Sequence, residues 1–261
     1  MRKVLALMLA AALMLSLAGC SKTEKTEVLV FAAASLSGSL SELEKEFEKE
    51  HPDTDVVLNT DSSGILMAQI EEGAEADIFF SASEKNMDEL EEKGLAEEGT
   101  REDILSNQLC VVTLKGSETK CKGIDTLSKA KSLAIADASV PAGKYTRIAL
   151  GLEEDMTTDD LQDLLRTEIS EQSNVSKVLA AVAEGASEVG TVYYSDTYGY
   201  EDIEVLEMVD KMRTGDIIYP AAQIRNERAD DAQKSAAEAF LRYICSDEAK
   251  DIYEKYYMKL I

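Results

Sequence analysis

One histidine, three prolines and four cysteines in 261 residues leave little from which to build a metal centre or a nucleophilic triad. The histidine, His51, stands in Lys49-Glu50-His51-Pro52, where the pattern ends a helix rather than opening a pocket. No Cys-x-x-Cys pair occurs, which argues against a thiolate metal site. No Gly-x-Ser-x-Gly elbow is present and no second histidine could serve a serine as base, so a hydrolase has little to stand on. No internal repeat and no Gly/Ser-rich linker divides the chain into independent domains. Basic residues are scarce, 27 against 51 acidic ones, and none lies between Pro52 and Glu84. Nucleic acid and anionic lipid are therefore poor partners. A clamp of cations around an anion is missing from that stretch too. Most of the acids sit in helical patterns such as Glu42-Leu-Glu-Lys-Glu-Phe-Glu48 and read as a solvated surface.

The first twenty residues stand apart from the rest. Arg2 and Lys3 open them, Val4 to Leu17 is an apolar run, and Leu17-Ala18-Gly19-Cys20 closes it. This is the layout of a secretory signal, too short and wrongly flanked for a spanning helix. A cysteine at the cleavage point resembles the bacterial lipoprotein signal. Residues 1–19 are expected to be removed, Cys20 to carry a diacylglyceryl group, and 20–26 to form a lipidated tether. The mature chain would be held outside the cytoplasm at a membrane surface, as a monomer. Loss of Arg2 and Lys3 takes the net charge from −24 to −26. Cys110 and Cys121 could bridge a strand end to a loop, since disulfides persist outside the membrane. Cys245, in an apolar helical run, reads as a buried small hydrophobe.

From Val28 onward, short apolar runs alternate with helical periodicity. Val28–Ala33, Asp55–Leu58 and Asp77–Phe80 read as strands; Leu40, Leu43 and Phe47, then Ile65 to Ile70, then Met87 to Leu95 mark helices between and after them. A second set begins at Gln108–Leu114. It continues through a strand at 133–136, helices near 144–151, 158–168 and 174–184, and strands at 188–192 and 203–206. Residues 216–224 read as a strand with a proline break, and helices at 231–244 and 247–257 close the chain. Repeated β-α units predict an α/β fold, with mostly parallel sheets flanked by helices. Two lobes around a ligand cleft are expected, with 27–108 and 220–261 forming lobe I and 109–219 lobe II. Crossovers are expected near 107–112 and 217–223.

Four of these runs end in small neutral residues just before a helix: Phe31-Ala-Ala-Ala-Ser35-Leu36, Asn59-Thr-Asp-Ser62-Ser63-Gly64, Ala138-Ser-Val140-Pro141-Ala142-Gly143 and Ser173-Asn174-Val175. Each reads as a helix N-terminus, with unpaired N–H groups and the positive end of the dipole facing outward. Open α/β sheets bind ligands at such junctions. Several aimed at one point would hold an anion without Lys or Arg. Lys144 and Lys177 lie within a turn of two junctions and are expected to face solvent.

In order and at matching spacing, Phe31–Leu36, Gln69-Ile-Glu-Glu-Gly-Ala-Glu-Ala-Asp77, Val140-Pro-Ala-Gly-Lys-Tyr145 and Gly190-Thr-Val-Tyr193-Tyr-Ser195-Asp196 resemble the periplasmic molybdate-binding proteins of ABC importers. The resemblance runs from about Val28 to the C-terminus. It implies a type II periplasmic-binding-protein fold, no catalysis, no cofactor, and molybdate or tungstate as ligand for delivery to a membrane permease. It also implies a donor set: the hydroxyls of Ser35 and Ser63, the backbone N–H groups of Ala142 and Val175, and the phenol of Tyr193. Two positions depart from the family pattern. Asp61, an acid beside the serine pair, is expected to point outward, and Gly64 stands where relatives often carry Ser or Thr. An iron(III) receptor using Tyr193 and Tyr194 is the nearest alternative reading, and a serine hydrolase built on Ser35 or Ser63 a more distant one.

Overall fold

A computed structural model describes residues 25–261. The expected signal segment and Cys20 lie outside the described residues. Strand β1 (Thr26–Ala33) leads through a 3-10 turn (Ala34–Leu36) into helix α1 (Ser37–Glu50). Then come β2 (Thr54–Asp61), α2 (Ser63–Glu71), β3 (Ile78–Phe80), α3 (Glu84–Glu92) and β4 (Glu102–Asn107). The second part holds β5 (Leu109–Leu114), β6 (Ser132–Ala136), α4 (Pro141–Ala149), α5 (Thr158–Leu165), β7 (Glu168–Gln172), α6 (Val175–Ala183), β8 (Val189–Tyr193) and β9 (Ile203–Met208). A single turn, α7 (Lys211–Thr214), precedes β10 (Ile217–Gln223); α8 (Asp231–Ile244), α9 (Lys250–Lys255) and β11 (Lys259–Leu260) finish the chain.

The strands form two sheets, ordered β11-β4-β10-β3-β1-β2 and β7-β6-β8-β5-β9. Each sheet, with its helices, makes a lobe. Each keeps the parallel β-α-β run expected from the sequence: β1 pairs in parallel with β2 and β3, and β6 with β7 and β8. Each also gains an antiparallel crossover strand, β10 between β3 and β4, and β5 between β8 and β9. Parallel neighbours put the C-terminal ends of β1, β2 and β3 on one edge, so the helices that follow start side by side.

Helices cover both faces of the first sheet because side chains alternate along β1. Val28 and Val30 share a core with Leu40, Leu43 and Phe47 of α1 and Phe240 of α8. Phe31, on the other face, packs with Phe79, with Leu66 and Ile70 of α2, and with Met87 and Leu90 of α3. Each such burial is worth about 1.5–3 kcal/mol. The closing helices return to lobe I as expected: Phe240 meets Phe47 edge-on at 5.0 Å, and Lys255 reaches Glu42 at 2.6 Å.

The structure departs from the sequence reading at identifiable places. The 158–168 helix ends at Leu165, and Glu168–Gln172 forms the edge strand β7. Its polar, mostly exposed Glu-Ile-Ser-Glu-Gln carries little of the apolar signal that marks a strand. Strand β4 has a weak signal too: Glu102 and Asp103 are exposed, and the buried stretch after them holds only two apolar residues, Ile104 and Leu105, before Ser106 and Asn107. β10 pairs with β4 from Ile217 onward, so Ile217–Tyr219, expected in lobe II, belong to the first sheet. The proline break appears as a register shift between Tyr219 and Pro220. Cys110 and Cys121 are buried free thiols, and Cys245 is half-buried.

Candidate functional site

The loop ends after β1, β2, β6, β7 and β8 meet at one small void between the lobes, whose free interior is about 10 Å³, room for roughly one water-sized sphere. So little free space leaves no room for an organic cofactor. All five residues expected from the sequence line it: Ser35, Ser63, Ala142, Val175 and Tyr193.

Each is placed by its own element. Ser62 is the N-cap of α2, its hydroxyl accepting from the Ile65 N–H, and Leu66 N–H makes the first backbone bond back to Ser62. The earlier N–H groups of that turn therefore have no intrahelical partner. Ser63 Oγ accepts from the Ala82 N–H at 2.9 Å, which leaves the Ser63 hydrogen to donate. Pro141 opens α4 where its missing N–H costs nothing. No side chain caps that helix, and Lys144 is the first residue bonded back, to Val140. Gly143 lets this turn sit on the end of β6: a Cβ there would lie 2.1 Å from the Asp137 carbonyl oxygen. At α6, Asn174 Oδ1 caps the Lys177 N–H, so the Val175 N–H stays unpaired by helix geometry.

Tyr193 ends β8 and is buried, yet its Oη has no hydrogen-bond partner among the described residues. Its ring packs edge-on to Tyr145 at 6.4 Å and Tyr219 at 5.7 Å. Burial pushes the Tyr193 phenol well above its ordinary value, so it is a neutral O–H donor at pH 7. A buried hydroxyl left unpaired costs about 1–3 kcal/mol. Its geometry calls for an acceptor in the void. Ser35 Oγ lies 3.0 Å from Tyr219 Oη, a partner that sequence reasoning missed. The available signal was a tyrosine inside an apolar crossover strand, whose hydroxyl must find a partner when buried.

Among the described residues, the void is lined by one charged side chain, Asp61, and by no Lys, Arg or His. Asp61 does not point outward as expected. Its Oδ1 accepts from the Ser62 N–H at 2.8 Å and, across the cleft, from Asn174 Nδ2 at 3.0 Å. The carboxylate is thus turned into a clasp between the lobes. Lys85 and Glu154 form a second inter-lobe contact. Lys177 is exposed and bonds Ser173, while Lys144 is half-buried in a neighbouring cavity with Glu84 and Glu154. Neither lysine lines the void.

Tyr193 and Tyr194 do not converge. Tyr194 turns away and stacks on Tyr257, with ring centroids 4.6 Å apart. His51 is exposed and stacks on Phe47. Among the described residues no cluster of three His, Cys, Asp or Glu side chains is arranged to hold a metal ion. Beneath the site, Asp196 accepts from the Tyr193 N–H at 2.9 Å, and burial pushes its carboxyl up to about 7 despite that bond.

Residues 28–259 match the family described as bacterial extracellular solute-binding protein. The chain is 32% identical over 262 residues to the molybdate-binding protein ModA of Escherichia coli, covering 98% of this chain and 97% of that one. It is 29% identical over 250 residues to the putative ABC transporter substrate-binding lipoprotein YvgL of Bacillus subtilis, covering 93% and 92%. Among solved structures, the substrate-binding domain of a putative molybdenum ABC transporter from Clostridium difficile is 32% identical. It superposes with a TM-score of 0.65, covering 90% of this chain and 99% of that one.

Proposed function

Because the chain belongs to the bacterial extracellular solute-binding proteins, we propose that it is the receptor of an ABC importer that captures molybdate, and tungstate equally, and passes it to a membrane permease. The observation that carries this reading is the buried Tyr193 hydroxyl, unpartnered among the described residues, facing a void whose lining there holds neutral donors and the clasped Asp61 but no cation. The molybdate-binding relative spans nearly the whole chain, which supports the same ligand class.

A tetrahedral dianion offers acceptors only. Hydroxyls of Ser35, Ser63 and Tyr193, with N–H groups of Ala142 and Val175, would satisfy each of its oxygens. Hydrogen phosphate carries one O–H; facing the hydroxyl and N–H donors it leaves both groups unpaired, at a cost of about 1–3 kcal/mol, while the one carboxylate in the lining, Asp61, is turned to Ser62 and Asn174. Sulfate is fully deprotonated, so only its smaller size can exclude it. Molybdate and tungstate are nearly alike in size and charge, so the pocket has no basis for separating them. The receptor makes and breaks no covalent bond. Lipidation at Cys20 would tether it outside the membrane, a reading supported by the signal pattern and by the relative named a lipoprotein.

Titration calorimetry with molybdate, tungstate, sulfate and phosphate in parallel tests the proposal. Tight binding of the first two and weak or absent heat from the others is expected. Tight phosphate binding, or no molybdate heat, would count against it.

A further inference from the structure

We infer that Tyr219 and Asn107 are positioning residues that lock the Ser35 hydroxyl as a donor, and that this lock excludes anions carrying a proton. The inference rests on the anion-receptor reading above.

The direction of each hydrogen follows from donor counting. Asn107 ends β4 at the crossover between the sheets and is buried. Its Oδ1 accepts from the Gln108 N–H at 2.8 Å, which fixes the amide so that Nδ2 faces the other way. Nδ2 then donates to Tyr219 Oη at 3.0 Å and to Ser195 Oγ at 2.8 Å. Tyr219 Oη is fully enclosed, and its second contact is Ser35 Oγ. Having accepted from Asn107, the phenol places its own hydrogen on Ser35, because burying it unpaired is costly. Burial holds Tyr219 well above the ordinary phenol value, so that hydrogen stays in place. Ser35 Oγ, occupied as an acceptor, has its own hydrogen left to give, and Ser35 lines the void.

Without the lock, a serine hydroxyl accepts as readily as it donates. It could then take the hydrogen of hydrogen phosphate and relieve the mismatch that keeps that ion out. The polarity of one donor is thus set by a residue at the crossover, through a tyrosine that touches no ligand.

Calorimetry on wild type, Tyr219→Phe, Ser35→Ala and the double variant tests this, with molybdate and with inorganic phosphate under mildly alkaline conditions. Tyr219→Phe should weaken molybdate by about tenfold and raise the phosphate-to-molybdate affinity ratio by about tenfold. Ser35→Ala added to Tyr219→Phe should cost less than about threefold more, because the two act as one unit. A purely structural role would lower both affinities together and leave their ratio alone. Should Tyr219→Phe fail to melt cooperatively, Asn107→Asp replaces it. Its carboxylate must take the Tyr219 hydrogen, reversing the chain, and its charge repels both dianions alike, so the same rise in ratio is expected. An unchanged ratio, or additive losses in the double variant, overturns the inference alone. Wild-type protein that binds neither anion overturns the receptor reading and this inference with it.

Discussion

Tyr193 and Ser35 show how much of the site depends on single hydrogens. Both are buried and neutral, and among the described residues no cation lines their void to compensate for the loss of either. Tyr193→Phe and Ser35→Ala should each weaken molybdate binding by about tenfold or more, since a donor to a charged acceptor is worth about 1.5–3 kcal/mol. Calorimetry on the folded variants checks this; unchanged affinity in both would sink the site assignment. Asp61 makes a prediction of opposite sign. Its Oδ1 does the clasping, with Ser62 N–H and Asn174 Nδ2 as donors. Asp61→Asn keeps that oxygen and removes the charge facing the anion. Affinity should rise by on the order of 1 kcal/mol, roughly fivefold. A drop would mean that the charge strengthens the clasp by more than it repels the ligand.

At the scale of elements, the strand-to-helix junctions of α2, α4 and α6 do the work, and one small residue, Gly64, sets how closely the first two approach. Gly64 lies in the first turn of α2, where a Cβ would stand 3.0 Å from the Ser139 carbonyl oxygen of the other lobe. That neighbour is backbone and yields only if the lobes part. Gly64→Val should therefore weaken molybdate binding by more than about tenfold, whereas the ligand-free protein keeps or slightly raises its melting temperature, because glycine in a helix costs up to about 1 kcal/mol. Parallel melting curves and titrations separate the two effects. These junctions were legible because each carries a local start signal: Pro141 opening α4, Asn174 capping α6, Ser62 capping α2. Strand β4 and the edge strand β7 were not, because the exposed polar residues that open β4 and fill most of β7 look alike in strands and loops. The Asp61 clasp was unreadable for a different reason: its partner lies 113 residues away, and local spacing says nothing about it.

For the whole molecule, one half-buried acid couples stability to pH. Asp196 sits in the turn after β8, and burial raises its carboxyl from the ordinary aspartate range to about 7. A group whose folded value exceeds its unfolded value of about 3.9 prefers to be protonated in the fold. It imposes no penalty at acid pH; as pH rises through the window from about 4 to about 7, the unfolded chain gives up its proton first and stability falls. Asp196→Asn should remove that slope, so its melting temperature should gain on wild type steadily between those values and level off above. Parallel curves for the two proteins across the window would contradict the burial argument.

The amino-acid order alone determined the alternation of strands and helices, the neutral helix starts and the shortage of basic groups near them, because these depend on residues within a turn or two of one another. Only the folded chain decided that four such starts and the end of β8 meet at one void, that Asp61 bridges the lobes, and that the Ser35 hydroxyl has a direction. That direction comes from Tyr219, 184 residues along the chain, through a hydrogen bond that exists only once β10 has returned to the first sheet. Local geometry supplies the donors, and long-range packing alone points them.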